Sequence, residues 1–320
     1  MNTVTRRGFS LRKKMTSKVD QSRYGWFFIL PFIIVFLIFN VYPILFSLEI
    51  SFTDLKNWNT EYSYVGFANY VKVLNTSRFW QAMGNTAILF FMFFIPQILL
   101  SLLLAYWLST PSLKIKGQSF FKVSMYLPSI ITGVSIGLLY NLFFEYPRGP
   151  INQLLQQVGL ISTPIEFFHE TGAARVITSY VQSWVGYGPM MIMFIGAILG
   201  INPELFEAGY IDGCSNRQMF FQITLPLIRP ILLYNMVCCV IGGLQLFDIP
   251  KLLTGGGPRN STITMSMFIY NQAFSGARSF NNAAAASYLL MLLIAVISAG
   301  VFLLMRGRPD DVPVRRRRSA

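Results

Sequence analysis

Thr86-Ala-Ile-Leu-Phe-Phe-Met-Phe-Phe-Ile-Pro-Gln-Ile-Leu-Leu-Ser-Leu-Leu-Leu-Ala-Tyr-Trp-Leu108 contains no charged side chain. A helix rises about 1.5 Å per residue, so roughly 20 apolar residues cross a bilayer core. Working outward from this stretch, five more of the same kind appear: Trp26 to Leu48, Phe120 to Phe144, Ile177 to Leu199, Leu225 to Phe247 and Ala283 to Met305. Prolines 31, 43, 96, 128, 189 and 230 lie in or at the ends of these spans. Membrane helices tolerate proline where neighbouring groups re-satisfy the freed carbonyls. The third and fifth spans are the least uniform, because Asn141, Asn235 and Gln245 interrupt them.

Composition agrees with six spans. Hydrophobic residues make up 53% of the 320 positions and charged residues only 12%, against about 25% charged in a soluble protein. The expected fold is therefore an all-α integral membrane protein with six transmembrane helices. Its domain plan is a basic tail over 1–24, a six-helix domain over 25–305 and a second basic tail over 306–320. The net charge of +13 on so apolar a chain points to topology signals and membrane lipid, and no nucleic-acid partner is expected.

Lysine and arginine are distributed unevenly. The two tails, the loop around Lys114, Lys116 and Lys122, and the loop with Arg217 and Arg229 share one side and hold 18 basic and 6 acidic residues. The opposite side holds 8 basic and 7 acidic residues. The positive-inside rule then places both termini in the cytoplasm, and the first span reads as an uncleaved anchor.

Metal and redox chemistry have little to work with. His169 is the only histidine, and Cys214, Cys238 and Cys239 lack metal-ligand spacing. No metal and no catalytic residue are expected. Gly255-Gly-Gly-Pro258 is not followed by the Gly-Lys-Ser/Thr that a phosphate loop requires. No cofactor is expected on this chain, and any ATP and magnesium would belong to a partner.

The loop after the fourth span carries the strongest local signal. Asn202 is a good N-cap, Pro203 suits the first helical position and Glu204 complements the helix dipole. Gly213 can end the helix in the left-handed region, and Ser215 can cap a second one. A short stiff helix of this kind is suited to a partner's groove, or it is an ordinary interfacial helix.

Glu207-Ala208-Gly209, then Asp212-Gly213, nine residues, and Ile223-Thr-Leu225-Pro226 resemble the EAA loop of permease subunits of binding-protein-dependent ABC importers. Gly209 stands for that pattern's second alanine, and Cys214 stands where alanine is usual. Other stretches are similar to its sugar-permease class: Leu30-Pro31 to Tyr42-Pro43, Ser51-Phe-Thr-Asp54, Gly66-Phe-Ala-Asn-Tyr70, Gly84-Asn-Thr86, Leu253-Thr-Gly-Gly-Gly-Pro258, Tyr270 and Ala273-Phe274. Together they resemble the first maltose or glycerol-phosphate permease subunit.

The resemblance implies a MetI-like permease core in a bacterial cytoplasmic membrane. It implies three partners: a second homologous permease, a dimeric cytoplasmic ATPase that uses ATP and magnesium, and an extracytoplasmic solute-binding protein. Residues 200–226 would be the coupling loop, with Glu207, Ala208, Gly209, Asp212, Gly213, Ile223, Leu225 and Pro226 contributing.

Solute passage needs polar and aromatic groups within the membrane. Gln182, Trp184, Val185, Gly186 and Tyr187 combine an amide, ring faces and bare backbone suited to a sugar. The resemblance adds Cys239, Gly243 and Leu246 on the fifth span, near Gln245. Two readings of Asp248 stand, one as an aqueous-cavity or solute residue and one as an interfacial residue beside the glycine-rich loop. Trp184 and Tyr187 likewise have a second reading as an aromatic belt. A membrane-embedded enzyme of lipid-linked sugar metabolism would need clustered acids or histidines, whereas Glu49, Asp54 and Glu145 are scattered. An ion-coupled carrier would transport without partners.

Overall fold

The computed structural model describes residues 21–56, 61–109, 116–275 and 278–305. The basic tails therefore lie outside the described residues, except 21–24, and so does Lys114. The chain divides into two compact units, Met1–Glu49 and Ile50–Ala320.

In the first unit, α1 (Gln21–Phe36) passes through one wide turn, Leu37–Val41, into α2 (Tyr42–Ser51). The Tyr42 amide donates to Leu37 O rather than one residue later. Pro43 has no N–H to offer the preceding turn, and a π-turn absorbs the extra residue. From Trp26 to Phe46 nearly every side chain is exposed, including Phe28 at 80%. Water would make such a surface costly, so this helix belongs in lipid or against another apolar surface.

The second unit continues with α3 (Ala68–Leu74), α4 (Ser77–Ser109), α5 (Gln118–Tyr126), α6 (Gly133–Phe143), α7 (Pro150–Gln157) and α8 (Thr171–Leu199). It then runs through α9 (Pro203–Ile211), α10 (Asn216–Gln218), α11 (Leu225–Leu227) and α12 (Arg229–Leu244). It ends with α13 (Asp248–Leu253), α14 (Met265–Phe274) and α15 (Phe280–Met305). Among the described residues, extended structure is limited to an isolated bridge between Thr53 and Tyr64.

Five helical segments are long and apolar enough to cross a membrane, and six if one bent pair counts as a span. That pair is the third span read from the sequence, and it is not continuous. Residues 118–130 meet α6 at 92°. Pro128 tightens the end of the first half into a 3-10 turn, Ile131 is extended, and Thr132 caps α6 by accepting from the Ser135 amide. The fifth span also breaks, at Gln245–Phe247, before α13.

α4 and α8 form the most extensive helix pair. Ala105 and Leu108 of α4 meet Met190, Met191, Phe194, Ile195 and Ile198 of α8, with Ile228 closing the cluster. A second core joins Phe79, Phe90 and Phe93 of α4 to Leu244, Phe268, Ala285, Ala286 and Leu290 from the later helices. The alanine run of α15 is buried because small side chains let these helices approach closely. The third core sits beside the bend, where Ile136 of α6 meets Ile177, Val181, Ile249 and Leu253. A Cβ on Gly137 would lie 2.7 Å from Leu252 Cβ, so α6 rests directly on α13.

Polar groups fasten the segment after α2. The Asn69 amide donates to Ser51 O at 2.9 Å and Thr53 O at 2.6 Å, and Asn281 donates to Asn69 Oδ1. The Ser63 amide and hydroxyl donate to Asp54 and hold its carboxyl below the usual range.

Candidate functional site: a capped loop and a polar node

The 200–226 loop is rigidified by its own caps. Asn202 Oδ1 accepts from the Glu204 amide at 3.1 Å, and Pro203 opens α9. At the other end Gly213 adopts φ +77°, and the Cys214 amide donates to Gly209 O at 2.9 Å. This six-to-one bond satisfies a carbonyl that the helix end would otherwise leave free. Ser215 and Gln218 then form a reciprocal capping box.

Met219–Thr224 is a π-turn with Met219 and Thr224 fully or almost fully buried. Pro226 follows it and lacks the N–H that a regular turn would use, so the widening again sits ahead of a proline. Gly209 packs against this turn. A Cβ there would stand 2.7 Å from Met219 Sδ and 3.1 Å from Ile223 Cδ1. The glycine that departs from the EAA pattern is therefore matched to Met219. Gly209→Ala should destabilise the loop by about 1 kcal/mol, and Met219→Ala, which empties a buried site, by about 2 kcal/mol or more. Thermal denaturation of the purified protein checks both, and equal midpoints for wild type and Gly209→Ala would refute the match.

With Gly209 facing inward, α9 presents the rest of itself to its surroundings. Leu205, Glu207, Ala208, Tyr210 and Asp212 are exposed, and Ile211 is 87% exposed. Ile211 thus stands exposed beside the carboxylates of Glu207 and Asp212.

Tyr106, near the end of α4, went unnoticed in the sequence. Its hydroxyl donates to Asn216 O at 2.9 Å and its ring meets Phe220 edge-on at 4.9 Å. It joins a membrane-spanning helix to the loop, and only tertiary proximity across 110 residues reveals it.

Mid-chain polar groups gather around Gln97. This amide is 5% exposed and sits between α8 and α12. A Cβ on Gly186 would lie 2.5 Å from Gln97 Oε1, and Gln97 Nε2 reaches Cys239 Sγ at 3.6 Å. Among the described residues, Gln97 Oε1 is buried without a partner. Ser101 lies one turn on and donates to both Gln97 O and Tyr187 O, at 2.6 and 2.9 Å. The node thus unites Gly186, Tyr187 and Cys239, and Gln97 is the member that sequence reasoning missed. Glutamine in an apolar run was its only signal.

Other sequence-predicted residues lie elsewhere. The half-buried Trp184 meets the Tyr140 ring at 5.7 Å and, with Val185, packs on the core beside the bend. Gly186 faces an amide side chain rather than open space, and a Cβ on Gly243 would stand 2.6 and 2.7 Å from the Phe90 and Phe93 rings. Leu246 is buried in the α4–α15 core. Gln182 is half-buried, and Asp248 is exposed with its Cβ 3.3 Å from where a Gly133 Cβ would be.

Gln245 borders a mainly apolar groove of about 480 Å³, where Phe247, Tyr270, Phe274, Ser266 and Ser287 stand beside Leu290, Met291 and Ile294. Tyr270 lies 5.1 Å from both neighbouring rings, and Lys251 Nζ sits 5.2 Å over it. Ring faces beside an amide and hydroxyls form a surface suited to sugar. Among the described residues no three His, Cys, Asp or Glu side chains gather as metal ligands.

No protein-family profile matches the chain. It is 35% identical over 300 residues to the lactose transport system permease protein LacF of Rhizobium radiobacter, covering 92% of this chain and 99% of that one. It is 30% identical to the diacetylchitobiose uptake system permease protein NgcF of Streptomyces coelicolor, covering 95% and 87%. Among solved structures, a chain of a bacterial alginate ABC transporter in complex with an alginate pentasaccharide-bound periplasmic protein superposes with a TM-score of 0.75 at 26% identity. That match covers 90% of this chain and 96% of the other.

Proposed function

The chain belongs to the permease subunits of sugar ABC transport systems, and from that membership we propose that it forms half of an ATP-driven import pathway. A second homologous permease completes the pathway, a dimeric ATPase drives it, and an extracytoplasmic binding protein delivers the solute. The solute is a sugar or oligosaccharide, with glycerol phosphate as the alternative polar cargo. This chain itself binds no cofactor; ATP and magnesium act on the partner ATPase. Lipid surrounds the exposed apolar helices, the membrane is the bacterial cytoplasmic one, and the bent pair α5–α6 counts as the third of six spans.

The observation that carries this reading is α9: a short helix, capped at both ends, buried on its glycine face and exposed at Glu207, Ala208 and Ile211. It supports docking in a cleft of the ATPase, whose closure would move α9 and, through Tyr106, α4. The node at Gln97 supports a polar route between the helices. The test is reconstitution in proteoliposomes with the products of the neighbouring reading frames. Uptake should require ATP and the binding protein; uptake by this chain alone, driven by an ion gradient, would sink the proposal.

Topology has its own test. With Cys214, Cys238 and Cys239 replaced, a cysteine at Asn260 should react with an impermeant reagent in intact cells, and one at Ser215 should not. Labelling at 215 from outside would overturn the six-span arrangement with cytoplasmic termini.

A further inference from the structure

A polar cleft of about 510 Å³ opens where α4 begins, and neither the loop nor the Gln97 node uses it. Its polar lining is Arg78, Gln81, Asn260, Asn271, Gln272 and Ser275. A smaller hollow of about 170 Å³ shares Phe268 and Gln272 with it and adds Lys72, Thr76, Ser279 and Asn282. Asn282 is 6% exposed, and among the described residues its Oδ1 has no partner. Neither space has an Asp or Glu in its lining, and among the described residues neither Arg78 nor Lys72 has a carboxylate within 4.0 Å.

The walls are set in advance. Asn85 donates to Asn260 O at 2.7 Å and to Ile263 O at 3.2 Å, and Arg175 grips Asn85 Oδ1 at 2.7 Å and Ser261 O at 3.0 Å. Gln81 donates to Arg259 O, and Thr262 donates to Gly257 O. A loop held from three elements loses little entropy when something binds against it.

We propose that this cleft receives a carboxylate side chain of the extracytoplasmic binding protein. The inference rests on the importer reading above, which puts the 254–264 loop outside. A guanidinium beside amide donors matches a carboxylate in charge and geometry, and Lys72 adds a second cation within reach of the same surface. The volume suits one or two side chains rather than a domain. Solute is a poorer occupant, since Gln97 lies sixteen residues, about 24 Å, further along α4 from Gln81.

The test uses the complete importer in nanodiscs, titrated with purified, solute-loaded binding protein while ATP hydrolysis is measured. Arg78→Glu should raise the half-maximal concentration on the order of tenfold, with the maximal rate unchanged and the gap narrowing as salt rises. Arg78→Lys should stay near wild type, and Lys72→Glu should shift in the same direction as Arg78→Glu. A photo-crosslinking residue at Gln272 should capture the binding protein at a stretch bearing Asp or Glu. Identical titrations for wild type, Arg78→Glu and Lys72→Glu would overturn the proposal, as would a crosslink only to lipid or the other permease. A changed preference for carboxylated over neutral sugars, with the titration unmoved, would assign the cleft to solute and also overturn it. If the wild-type complex shows no stimulation by binding protein, the importer reading itself fails, and the two failures are thereby separate.

Discussion

Glu207→Lys and Gly213→Val are each expected to abolish uptake by the assembled importer while the chain still inserts and the complex can be purified. The two substitutions reach that result by different physics. Glu207 is exposed on α9, positioned to accept hydrogen bonds from arginine or backbone amides in the ATPase cleft. Reversing its charge there costs about 3 kcal/mol of docking or more, a loss on the order of 100-fold in coupling. It should also release part of the ATPase from the membrane. Gly213 makes no such contact. A Cβ at 213 meets nothing within 4 Å, so the penalty arises only from φ +77°. A β-branched residue in that region costs about 1–2 kcal/mol, and relaxing it turns α9 away from the 219–224 turn. Uptake and ATP hydrolysis in proteoliposomes containing all subunits provide the measurement. Normal coupling in both variants would show that α9 is not the transmission joint.

Gly186→Val should reduce uptake more than tenfold, because its Cβ would fall 2.5 Å from an amide oxygen that is already buried and, among the described residues, unpartnered. Overpacking of this kind costs about 1–3 kcal/mol. Adding Gln97→Ala removes the clashing side chain, and the double variant should regain thermal stability. Its uptake should stay low while basal ATP hydrolysis persists, since the node then lacks the amide that would meet solute. Full recovery of uptake in the double variant would mean that Gln97 and Gly186 are packing partners only.

Legibility differed from feature to feature. The caps at Asn202, Gly213 and Ser215 were readable because capping is local chemistry, settled within four or five residues. The bend in the third span was not, although Pro128 and Thr132 were in view. Proline is compatible with a continuous membrane helix whenever neighbours satisfy its carbonyl. Gly133 and Gly137, pressed against Asp248 and Leu252, show that α13 occupies the space beside the bend. Trp184 illustrates a different limit. Its residue type suits both a sugar site and an aromatic belt, and the structure packs it against the core beside the bend with the Tyr140 ring at 5.7 Å.

The sequence by itself determined the membrane class, the approximate spans, the capped loop and the family resemblance, because each rests on composition, spacing or short-range hydrogen bonding. Tertiary structure alone decided which glycines serve close packing, that Gln97 joins α8 to α12, and that Tyr106 ties α4 to the loop. It alone assembled the basic cleft at Arg78 from segments nearly 200 residues apart. In lipid, apolar side chains are interchangeable as far as solvent is concerned. The face each helix turns inward is therefore set by interhelical packing and buried polar contacts, which no single stretch of sequence contains.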